Sequence, residues 1–167
     1  MPTLIVETGS GDSAANTYLS EADATAYFLD KGNAEWAAAI ATKKQESLIV
    51  GTQFIDSQYG RRWLGTRSVS TQRLSWPRAN VIDYDGLIIS PTSIPRKLKE
   101  ATAEAALKSL VGEIVENNVG GIKREMNKVG EIETETEYVG GKSASPSFTL
   151  ILNLLADFIG LHSLERS

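Results

Sequence analysis

Between Gly60 and Pro91 the chain loses its helical period, so any fold must carry a long irregular connection between two helical blocks. Before it, Trp36, Ile40, Lys44, Leu48, Ile55 and Tyr59 recur at spacings that largely share one helical face. After it, Pro95 suits the first turn of a helix on which Leu98, Ala101, Thr102, Ala105, Ala106 and Ser109 make a small-residue face, with Leu110 and Ile114 further on. Small residues let helix axes approach closely, which places this second helix at the centre.

Local signals complete the outline. Leu4 to Thr8 reads as a short extended arm or edge strand, closed by the Gly9 to Asp12 turn. Ser20, with Asp23 three residues on, predicts a helix from about Glu21 to Asp30 that stops at Gly32. Asn33 is a further N-cap, and Thr42 with Gln45 allows a restart, so the helical block before Gly60 can be two pieces. Asp85-Gly86, between Val81-Ile82 and Leu87-Ile88-Ile89, predicts a tight hairpin. Gly120-Gly121 is expected to end the central helix. From Glu131 to Tyr138 the odd positions are all Glu, and such alternation predicts a strand that pairs with residues 122–128 through a turn near Val129-Gly130. A last helix begins near Ser147, with Phe148, Ile151, Leu152, Leu155, Phe158 and Ile159 on one broad side. The expected fold is mainly α, a helical bundle with a small antiparallel β-ribbon and long irregular loops. It forms one domain over residues 1–160, with a loop at about 60–92 and a tail at 161–167.

Several classes of function are disfavoured. A formal charge of −4 argues against coating nucleic acid through a global field. No stretch approaches the roughly 18 apolar residues of a membrane helix, and residues 1–12 lack a signal-peptide layout, so a soluble, intracellular protein without a membrane partner is expected. The chain has no cysteine, which removes disulfides and thiolate chemistry. The one histidine, His162, supplies neither a triad nor a zinc site by itself. Gly9-Ser10-Gly11 lacks the following Gly-Lys-Ser/Thr of a phosphate loop and reads as a turn. Asp83-Tyr84-Asp85-Gly86 resembles a calcium loop only faintly, because Leu87 and Ile94 stand where ligands belong. Glu131, Glu133, Glu135 and Glu137 form a same-face row, more simply a solvated edge or charged lumen than paired catalytic acids. No enzyme and no cofactor are expected.

One feature rises above this background. Arg61, Arg62, Trp63, Arg67, Arg73, Trp76 and Arg78 place five arginines and two tryptophans in a stretch, residues 60–78, that contains no acid. Basic groups interleaved with aromatics can track a phosphate backbone while stacking bases, which is single-stranded nucleic-acid chemistry. Trp and Arg also dominate the energetic centres of protein interfaces, and both pack in cores. The acidic overall balance favours packing or a subunit interface.

A resemblance adds to this reading. Val6-Glu7-Thr8-Gly9, Ala15 to Ser20, Tyr27-Phe28, Arg62-Trp63-Leu64-Gly65, Leu74-Ser75-Trp76-Pro77-Arg78, Asp85-Gly86, Ile94-Pro95 and Val129-Gly130 follow one another across nearly the whole chain. In this order they resemble tailed-bacteriophage head-to-tail connector (adaptor, or head-completion) proteins, whose members often carry a label likening them to the DnaT protein as single-stranded-DNA binders. The resemblance implies a structural virion protein, made in the host bacterial cytoplasm and located at the neck of the capsid portal vertex. It implies a homo-oligomeric ring of about twelve copies, bound to the portal protein and to tail or neck proteins, with packaged double-stranded DNA passing through its lumen. The Arg and Trp residues would then meet a neighbouring subunit, and the Glu row a neighbour or the channel. Phe158, Ile159, Leu161, His162, Leu164 and Arg166 would be candidates for docking to the portal. The alternative is a single-stranded-DNA-binding protein of a phage replication module.

Overall fold

A computed structural model describes residues 3–112, 114, 125–129, 132–136 and 148–160 of the chain. The order of elements is α1 (Glu21–Asp30), α2 (Ala34–Ala38), α3 (Ala41–Tyr59), β1 (Thr66–Arg67), β2 (Arg78–Ala79), α4 (Arg96–Leu110), β3 (Glu125–Val129), β4 (Ile132–Thr136) and α5 (Thr149–Leu155), which runs into a 3-10 turn at Ala156–Phe158. The mainly α architecture with a small antiparallel ribbon is the expected one. The ribbon is β3 paired with β4, Val129 opposite Ile132 and Glu125 opposite Thr136.

The first two helices begin where capping chemistry dictates. Ser20 accepts a hydrogen bond from the Asp23 amide at the start of α1, and Asn33 accepts one from the Trp36 amide at the start of α2. Gly32, at φ +63°, turns the chain out of α1, and the Asn33 amide reaches back to the Phe28 carbonyl. α2 and α3 are separate pieces, but the restart falls at Ala41 after Ile40, without a side-chain cap, so Thr42 lies inside the helix rather than opening it. Pro95 caps α4 from just outside. That helix stops at Leu110 rather than at Gly120-Gly121, because Gly112 takes φ +85° and its amide bonds the Ser109 carbonyl.

α4 is the central helix, and its small residues explain why. Gly51 of α3 lies so close to α4 that a Cβ there would stand 2.7 Å from the Ala106 amide nitrogen. Leu98, Ala101 and Ala105 enter one core with Ile55, Trp76 and α5 residues Ile151 and Leu155. Ala103 and Ala106 enter a second core with Phe28, Trp36 and Leu48. Full burial of a large apolar side chain such as Leu98 or Ile55 contributes about 1.5–3 kcal/mol before entropy is counted.

The connection after α3 is tied down from the far end of the chain. Trp63 and Ile159 form an antiparallel bridge, the Leu64 amide donates to the Phe158 carbonyl at 2.9 Å, and the Gly160 amide donates to the Arg62 carbonyl at 2.7 Å. The N-terminal extended segment lies on the body as well, with the Glu7 amide bonded to the Thr17 carbonyl at 2.8 Å.

Candidate nucleic-acid interface

The basic connection separates into a buried aromatic floor and an arginine surface. Trp76 is fully buried and Trp63 nearly so. Their rings meet edge to face at 5.9 Å, Trp63 lies 6.3 Å from Tyr59, and Trp76 lies 5.5 Å from Phe158. Each such pair contributes about 0.5–1.5 kcal/mol beyond its buried area. Neither indole N–H has a partner among the described residues. The expectation that Trp63 and Trp76 stack on bases or meet a neighbouring subunit is therefore corrected: both are core residues of this chain. Phe158 and Ile159, expected at a docking surface, are buried in the same cluster. Leu161, His162, Leu164, Arg166, Glu131 and Glu137 lie outside the described residues. Glu133 and Glu135 are placed by β4, opposite Lys128 and Met126.

The arginines divide by role. Arg78 is structural: its guanidinium donates to the carbonyls of Leu64 at 2.6 Å, Gly65 at 2.7 Å and Ser75 at 3.2 Å. Burial, followed by the charge of Arg67 directly across the β1–β2 pair, draws Arg78 below its usual pKa. Arg61, Arg67 and Arg73 are exposed and Arg62 is half-buried. Arg62 sits over the Tyr59 ring at 5.8 Å. None of these four forms an ion pair among the described residues, where the pairs are Lys31–Glu104, Lys43–Glu46, Arg96–Glu100 and Lys97–Asp157.

Two acids that the sequence reading passes over hold this surface in place. Asp56 of α3 accepts the Tyr18 hydroxyl proton at 2.7 Å on Oδ1 and the Ser75 amide at 2.9 Å on Oδ2. It also shares a cleft of about 220 Å³ with Asn16, Gln53, Arg73 and Leu74. Burial pushes its carboxyl above the usual pKa, despite opposing hydrogen bonds from Ser75 and Tyr18 and the field of Arg67. Glu7, fully buried, gathers the amides of Gly9 (2.8 Å), Gly11 (3.0 Å) and Asp12 (2.7 Å) around its carboxylate. The loop so formed supports the basic segment, because the Arg73 amide bonds the Asp12 carbonyl and the Arg73 guanidinium reaches the Ala14 carbonyl. The signal for Glu7 is present in the sequence: an acid followed by Gly-Ser-Gly-Asp, where glycine permits the amides to converge. Asp56 carries no comparable local signal.

The whole is a helical fold presenting, among the described residues, four guanidinium groups without ion-pair partners on a segment with an aromatic floor. Residues 2–166 match the family described as "Putative DnaT-like ssDNA binding protein", and the chain belongs to that family. Searches of curated proteins and of solved structures each gave no match.

This overturns the expected virion neck protein. The family is described by single-stranded DNA, not by a portal-bound ring around double-stranded DNA with tail or neck partners. The segments that carried the connector resemblance are packing devices in this structure: Trp76 belongs to the core, Arg78 forks onto carbonyls, and Glu7 closes a loop. Such residues report how a chain folds rather than what it binds.

Proposed function

We propose that this chain is a single-stranded-DNA-binding protein, a binding domain rather than an enzyme, and that Arg61, Arg62, Arg67 and Arg73 meet the phosphates. The observation that carries the reading is that four guanidinium groups from one short connection stand without ion-pair partners among the described residues. The family description supplies the class of ligand. With a net charge of −4, the chain as a whole repels DNA, so attraction has to be local and strongly salt-dependent.

The test is a titration of fluorescently labelled oligo-dT at several salt concentrations, with the wild type and with all four arginines replaced by alanine. Four neutralised phosphates give a log–log slope of roughly −3. That slope should collapse in the quadruple variant while its denaturation midpoint stays near the wild-type value. Absence of binding at low salt, or binding indifferent to the four substitutions, overturns the proposal.

A further inference from the structure

Phosphate contacts alone do not select single strands, because a duplex presents phosphates too; selection needs a surface for the flat faces of unpaired bases. Trp63 and Trp76 are buried and unable to serve. Among the described residues one aromatic side chain is freely exposed, Tyr84, at 90% of its full accessibility. It stands on a hairpin that follows β2 directly, six residues beyond Arg78, or at most about 20 Å of extended chain.

The hairpin is built to hold that ring out. Val81, fully buried, roots it in the core, and the Ile89 amide returns to the Val81 carbonyl at 2.9 Å. Ile82 and Ile88 form a bridge, and the Asp83 amide donates to the Leu87 carbonyl at 2.9 Å. Asp83 Oδ1 accepts the amides of Asp85 at 3.0 Å and Leu87 at 2.8 Å, while Gly86 supplies the φ of +83° that the turn demands. This well-bonded turn nevertheless exposes Ile82, Leu87 and Ile88 beside Tyr84, an apolar tip of the kind that marks a binding surface.

We infer that Tyr84, flanked by Leu87 and Ile88, is the base-stacking platform for a single strand whose phosphates lie on the arginines; the inference rests on the function proposed above. The neighbouring acids fit this division of labour. The carboxylates of Asp83 and Asp85 disfavour phosphate at the tip, whereas an uncharged base face meets no such repulsion. The guanidinium side of the connection therefore takes the backbone, and the apolar tip takes the bases.

The experiment compares wild type, Tyr84→Ala and Tyr84→Phe for binding to labelled oligo-dT, to an oligonucleotide of the same length with abasic positions, and to a duplex. Stacking predicts that Tyr84→Ala weakens oligo-dT binding roughly 5- to 100-fold, leaves the salt slope and duplex binding unchanged, and abolishes the wild-type preference for bases over abasic positions. Tyr84→Phe, which keeps the ring, should bind as the wild type does. If Tyr84→Ala binds oligo-dT as tightly as the wild type, with the salt slope intact, the stacking role is overturned and the tip becomes a candidate protein contact, while the function proposed above survives. If the wild type binds no single strand at all, both readings fall.

Discussion

Tyr18 and Asp56, thirty-eight positions apart in the sequence, meet through a 2.7 Å hydrogen bond, and the same Tyr18 oxygen accepts the Trp76 amide at 3.1 Å. One hydroxyl thus links the loop before α1, the last turn of α3 and the aromatic floor of the basic segment. Tyr18→Phe keeps the ring and removes both bonds, leaving a buried carboxylate oxygen and a buried amide short of a partner. The expected loss of stability is about 2 kcal/mol or more, read as a lower urea midpoint with an unchanged m-value.

Asp56 also gives the fold a pH signature. Because burial raises its carboxyl above the ordinary 3.8, the folded chain retains this proton to higher pH than the unfolded chain does. The stability contributed by the protonated form is complete below about 3.8 and is lost as pH rises through the folded value. Asp56→Asn removes the titration. The difference in urea midpoint between the wild type and Asp56→Asn should therefore change across that acidic window and level off above it; a difference that is constant with pH would show the shift to be absent.

Arg73 and Arg78, five residues apart, should respond oppositely to truncation. Arg73→Ala removes an exposed charge, so stability should hold within about 0.5 kcal/mol while the salt slope of DNA binding becomes shallower by about 0.7. Arg78→Ala strips three carbonyls of their donor and should lower stability by about 1–3 kcal/mol. Paired urea and oligonucleotide titrations on the two variants separate the roles.

Glu7 should be among the least replaceable residues of the N-terminal loop. Glu7→Ala leaves three amides without their acceptor, a loss of about 3 kcal/mol or more. Glu7→Gln retains one oxygen acceptor and should fall between the alanine variant and the wild type. Thermal unfolding of the three proteins tests the order.

The parts of this structure that could be read from the sequence are those governed by neighbours in the chain. Ser20 and Asn33 announce their helices because capping is a matter of three residues. The alternation from Ile132 to Thr136 announces its strand for a similar reason. The small-residue face of α4 identifies the central helix because Ala105 and Ala106 let the backbone of α3 approach at Gly51. What stayed hidden depends on distant partners. An arginine-flanked Trp63 can be read as a stacking platform, an interface residue or a core residue, with the acidic balance favouring the last two, and its burial beside Ile159 decides for the core. Asp56 likewise has no meaning until Tyr18 and Ser75 are beside it. The basic character of the segment is legible, but the separation of Arg78 from the exposed arginines depends on its carbonyl partners.

The bridge between Trp63 and Ile159 bears on the order of events during folding. Closing a loop of about ninety-five residues is slow relative to forming a helix, and the contacts that reward it come last. Helix α3 can be in place while the segment that carries Arg62 and Arg67 still lacks its C-terminal clamp. Under the proposed function, oligonucleotide capture should therefore mature after most of the secondary structure, a lag that stopped-flow refolding would reveal as circular dichroism recovering ahead of capture.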